Sequence, residues 1–69
     1  MKKINLRDSS IGDLIYFSNN NKACHVGIFI DKDSFIHSSG FVKINSINKS
    51  HKLFNNKLFK LFNSVYRIN

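Results

Sequence analysis

Sixty-nine residues make one small domain or a piece of a larger one, and a chain this short buries only about 60% of the surface its unfolded form exposes. With 42% hydrophobic residues and seven Phe it holds enough apolar side chain for one core, which argues against wholesale disorder, and its single Cys excludes an intramolecular disulfide. Eleven basic against four acidic residues give a formal charge of +7 that favours nucleic acid, anionic lipid or an acidic polymer such as a cell wall; the lysines are scattered, as on a solvated surface, so charge does not choose among them.

The N-terminal MKKINLRDSS has the lysines of a signal peptide but no apolar stretch behind them, and nowhere do eighteen apolar residues run together. The expectation is a chain without a membrane span that stays in the cytoplasm as written. Residues 11–17, IGDLIYF, read as a buried strand opened by the turn residue Gly12, with Asp13 satisfying turn amides. SNNNK at residues 18–22 is turn-forming, and residues 23–30 are a second strand. Residues 34–38 and 41–46 form a third and a fourth around Gly40, and residues 62–68 a fifth. Between them Ser50 is expected to cap a short helix in which Leu53, Phe54, Lys57, Leu58 and Leu61 recur at three- and four-residue spacing. Asn55 and Asn56 weaken that helix, so a loop with one helical turn is the alternative. No Pro, three Gly and no repeating period leave no linker or internal repeat. The expected fold is mainly β, about five antiparallel strands with at most one short helix, as a meander or small barrel. Phe17, Phe29, Phe35 and Phe41 lie within apolar runs and are assigned to the core.

The chemistry centres on His25, in HVGIFI, and His37, in SFIHSSG. In a strand alternate residues share a face, so His25, Gly27 and Phe29 point one way. If Asp31, Lys32 and Asp33 form a three-residue hairpin loop, Phe29 pairs with Phe35 and Gly27 with His37, which places His25 diagonal to His37 on one face, with Cβ atoms on the order of 7 Å apart. Gly27 then leaves room for the His37 ring, and a one-residue slip would send His37 to the other face. Two readings follow from the spacing. His25 is a general base whose second nitrogen His37 holds, or both are polar residues at a strand edge facing water.

GDLIYF, a short loop, HVGIFI, then FIHSSG and a following VKI strand resemble the second half of the NlpC-type cysteine peptidases, cell-wall endopeptidases with a rearranged papain-like α+β fold. The resemblance covers residues 11–41, and more loosely residues 65–68. It implies that His25 is the catalytic base and His37 the orienting residue, that the substrate is a peptidoglycan stem peptide cleaved beside D-glutamate through a thioester, and that family members are usually exported to the cell envelope. Ile11 stands where the family commonly has Pro. The helix that opens with the nucleophilic Cys has no counterpart in these residues, so residues 1–69 are expected to be a single partial domain, the C-terminal β half. The isolated chain is then expected to be inactive, with a complementing N-terminal half, or self-association through an exposed sheet face, as the implied partner.

Cys24 is expected to be buried and structural, facing away from His25 and without a helix dipole to support a thiolate. Cys24, His25, His37 and His51 lack the close-set pairs of a zinc site, so no metal or other cofactor is expected, and His51 is read as exposed. The competing reading from another class is a small basic β-barrel that binds nucleic acid, Phe and Tyr stacking on bases and Lys on phosphates.

Overall fold

A computed structural model describes residues 1–68. Two turns and a one-glycine reversal set the register of its central strands. Asn20 and Asn21 take left-handed φ values of 54° and 66°, which Asn tolerates better than most residues, so Asn19 pairs with Lys22 across a two-residue turn between β2 (Leu14–Asn19) and β3 (Lys22–Phe29). After β3, Asp31 folds the next loop onto itself: Oδ1 accepts from the backbone N–H of Asp33 and of Ser34, both at 2.8 Å, and Oδ2 accepts from Ser34 Oγ at 2.8 Å. β4 (Phe35–Ser39) then pairs Phe29 with Phe35, Ile28 with Ile36 and Gly27 with His37, the register that a three-residue loop predicts. Gly40, at φ 88°, reverses the chain into β5 (Phe41–Asn45) and brings Lys43 opposite His37.

β6 (Phe62–Arg67) returns along the other side of β2, and β1 (Lys2–Ile4) pairs with β6. The result is one antiparallel sheet in the order β1-β6-β2-β3-β4-β5. Among the described residues the fold is mainly β as expected, with six strands where about five were expected; β2 to β5 form the meander, and the sheet is open, with edges at β1 and β5, rather than a barrel. Among the described residues no helix is long and apolar enough to cross a membrane.

Alternation divides the sheet into two unlike faces. On one, Ile15, Phe17, Phe29, Phe35 and Val65 are buried, with Ile47 and the half-buried Ile4, Leu58, Leu61 and Phe62 packed against them. Each large side chain so buried contributes about 1.5–3 kcal/mol, the main favourable term in a chain of this size. On the other face Val26, Ile28, Val42 and Ile44 remain exposed. Phe41, assigned to the core from its apolar run, is 68% exposed near the end of the β5 edge strand, with Lys43 Nζ 4.7 Å from its ring centre.

The helix starts later than the spacing predicts. α1 (Asn56–Leu61) is capped by Asn55, whose Oδ1 accepts from Leu58 N–H at 2.9 Å, while Ser50 sits in a turn before it. The asparagines expected to weaken the helix open it, because a short amide side chain satisfies a first-turn N–H that has no intrahelical partner.

Asp13 does satisfy a turn amide, accepting from Ser10 N–H at 2.8 Å, and it also receives Arg67 of β6 through Nε at 3.0 Å and Nη2 at 2.9 Å. The Arg67 bond, helped by the Ser10 amide and the guanidinium charge, holds the Asp13 carboxyl below its ordinary value against the opposing effect of burial. A depressed folded value means stability present above the unfolded value near 3.8 and lost as pH falls through the folded one. Asp13→Asn is therefore expected to lower stability at neutral pH by about 1–3 kcal/mol. It should also flatten the loss of stability below about pH 4 in thermal unfolding followed by circular dichroism. Asp31, depressed mainly by the Asp33 amide, keeps its own contribution in both proteins. Equal acid sensitivity of the two proteins would exclude Asp13 as the group responsible.

Candidate active site

The imidazoles meet on the buried face of the sheet. His25 lies on β3 opposite Phe17 of β2, and His37 lies on β4 opposite Gly27, two residues further along β3. His25 Nε2 and His37 Nδ1 are 2.7 Å apart, and the rings stand at 90° with centres 4.8 Å apart. His37 is buried, at 6% exposure, and its Nε2 lies 2.7 Å from Asn45 Oδ1 on β5. Asn45 Nδ2 in turn donates to Leu53 O at 3.1 Å. A pair of edge histidines facing water does not have this geometry.

Gly27 serves the pair differently from the expectation. A Cβ there would come within 2.8 Å of Phe35 Cδ1, 3.2 Å of Ile15 Cγ2 and 3.2 Å of Ile36 O, so the space it leaves is filled by the Phe35 ring rather than by His37. The effect on His37 is indirect, since the Phe35 ring centre lies 5.3 Å from the imidazole.

His25 is half-buried, and its ring forms part of the wall of an open concavity of about 260 Å³ that His37, Lys43, Asn55, Lys57 and Leu58 also line. Burial first, then the charges of His37 and Lys43, push its pKa below the ordinary 6.5. It is therefore neutral at pH 7 and able to take up a proton.

Cys24 departs from what strict alternation predicts. Phe17 pairs with His25 and Ser18 with Ala23, which leaves Cys24 as the extra residue of a bulge. Its side chain is exposed instead of buried, with Sγ 3.6 Å from Phe17 O, and the residue borders the same concavity as His25. His51, read as exposed, is half-buried and accepts from Leu53 N–H through Nδ1 at 3.0 Å.

Asn45 escaped the sequence reading, although the signal was there. Strand pairing about Gly40 puts Lys43 opposite His37 and Asn45 diagonal to it on the same face, the relation that His25 has to His37 across the preceding hairpin. Together the three side chains form a hydrogen-bonded line from a basic concavity into the loop before α1, an arrangement suited to receiving a proton at His25 and holding the charged ring in place. The model of the NlpC/P60 family matches residues 1–62. No curated protein matches the chain.

Proposed function

This chain belongs to the NlpC/P60 family, and from that premise we propose that it supplies the histidine half of a cysteine-hydrolase site that cleaves an amide bond of a peptidoglycan stem peptide. The observation that carries the reading is the 2.7 Å contact between His25 Nε2 and His37 Nδ1 beside an open concavity. In this reading His25 takes the proton of a thiol, the thiolate attacks the amide carbonyl, and the imidazolium returns the proton to the departing amine. Water then hydrolyses the thioester, with His25 again as base. His37 holds the ring through both steps.

The thiol comes from outside residues 1–69. The lone cysteine, Cys24, carries no helix N-terminus to stabilise a thiolate and neighbours the base in sequence rather than facing it across a substrate. A complementing helical segment has to present its Cys at the concavity, on the imidazole face. The exposed apolar face carrying Val26, Ile28, Val42 and Ile44 points the opposite way and is the surface through which copies of the chain would self-associate.

Mixing the chain with the separately expressed Cys-bearing helical half of an NlpC/P60 peptidase tests this. Release of amine from a stem peptide that requires both parts, with neither active alone, is the expected result. A complex that forms at saturation and leaves the peptide intact would overturn the reading, as would hydrolysis by the isolated chain that Cys24→Ser abolishes.

A further inference from the structure

We propose that Asn45 is a positioning residue that fixes the tautomers of both imidazoles and so selects the nitrogen with which His25 acts, an inference that rests on the hydrolase reading for its catalytic consequence but not for its geometry. Leu53 O is a backbone carbonyl and only accepts, so the end of the Asn45 amide turned toward it at 3.1 Å is the NH2. The other end, Oδ1, then faces His37 Nε2 at 2.7 Å, and an oxygen at that distance requires an N–H. In neutral His37 the lone pair is left on Nδ1. His25 Nε2, 2.7 Å away, must therefore donate. A neutral His25 that donates from Nε2 carries its lone pair on Nδ1, which has no hydrogen-bond partner among the described residues.

The end of this line is anchored. Leu53 O also accepts from Ser46 N–H at 3.0 Å, and the Phe54 N–H of the same peptide group donates to His51 O at 3.0 Å, so the peptide whose carbonyl orients Asn45 is held at both its polar groups. Without the Asn45 oxygen nothing on β5 prevents His37 from carrying its proton on Nδ1. That proton would face His25 Nε2, which would have to accept, and the His25 proton would move to Nδ1, leaving no base on that side of the ring. A neutral acceptor suits the task better than a carboxylate, because a charge at that place would favour doubly protonated His37, with the same consequence for His25. Lys43 on β5 and Lys57 on α1, which line the same concavity, oppose that extra positive charge.

Long-range ¹⁵N–¹H correlation spectra of the whole chain with labelled histidine, in mildly alkaline solution, test the assignment without any hydrolysis. The expected spectrum has His25 and His37 both protonated on Nε2 and both unprotonated on Nδ1. Asn45→Leu should release His37 and His25 into a mixture of tautomers while the amide resonances of β3 and β4 keep their positions, and Asn45→Asp, which puts a charged acceptor in the same place, should keep the proton on His37 Nε2 but add one on Nδ1 and so move the His25 proton to Nδ1. A wild-type His37 protonated on Nδ1 overturns the proposal, and so does an Asn45→Leu protein with both tautomers unchanged. If Asn45→Leu does not fold, the wild-type spectrum and Asn45→Asp decide. Correct tautomers in a complemented complex that hydrolyses nothing would sink the hydrolase reading and leave this assignment intact; an active complex with the wrong tautomers would do the reverse.

Discussion

Phe35→Ala is expected to unfold most of the chain at physiological temperature. Phe35 is fully buried, and its ring centre lies 5.5 Å from that of Phe17, 5.9 Å from that of Phe29 and 5.3 Å from that of His37. Its edge also fills the space that Gly27 leaves open, so truncation opens a void over the Gly27 backbone as well as between the neighbouring rings. Truncating a buried Phe costs about 3–5 kcal/mol. A domain of this length has roughly 3–10 kcal/mol in all, so the loss is comparable to the whole stability. Urea and thermal unfolding followed by far-ultraviolet circular dichroism measure it, and at about 4–8 °C per kcal/mol the midpoint should fall by more than about 12 °C. Val42→Ala, on the opposite face and 65% exposed, is the control, with an expected change within about 0.5 kcal/mol. A Phe35→Ala protein that melts within a few degrees of wild type would mean that the core is not organised around this ring. A large loss for Val42→Ala would mean that the outer face is covered in solution.

The same ring shows why part of the architecture was readable in advance. The register of β2 to β5 is written in local chemistry: asparagines that accept positive φ at residues 20 and 21, Asp31 bonding its own loop amides, and Gly40 at the last reversal. Once those turns are set, period-two alternation places Phe29, Phe35 and His37 on one face without knowledge of anything distant. What sequence reasoning missed depends on contacts that alternation does not encode. β1 is three residues with two lysines, and it exists because β6 offers it an edge, Ile4 settling opposite Val65. The helix start moved from Ser50 to Asn55 because Asn55 N–H bonds Ser46 O at 2.8 Å while its side chain caps Leu58, so the bridge to residue 46 and the cap reinforce each other. Cys24 was misplaced because one extra residue in β3 interrupts the alternation immediately before His25. Phe41 looked like core from its neighbours, but it begins an edge strand, where no further strand covers it. The site divides in the same way. His25 and His37 follow from one hairpin, whereas the role of Asn45 needs both the next hairpin and the carbonyl of Leu53 from the loop before α1.

In the complemented complex, His25→Ala is expected to reduce kcat/KM for the stem-peptide amide by about 10²–10⁴-fold, the usual contribution of a positioned general base. That is about 3–5.5 kcal/mol of barrier. The loss should fall on kcat with little change in KM, because the imidazole acts on a proton in flight and not on the resting substrate. His37→Ala should cost less, since a base remains but its ring is no longer held. Circular dichroism separates these effects from unfolding: His25 is half-buried at the wall of the concavity and its removal leaves the Phe17, Phe29 and Phe35 cluster in place. The isolated chain supplies an independent check. Burial, with the charges of His37 and Lys43, lowers the His25 pKa from 6.5, so its ring resonances should titrate below that value. The unfolded chain then takes up the proton more readily than the folded one, and stability should decline as pH drops below about 6.5, a decline that His25→Ala removes. A complex that retains activity within a few-fold after His25→Ala has another base, and the imidazole pair would then be part of the packing and not of the chemistry.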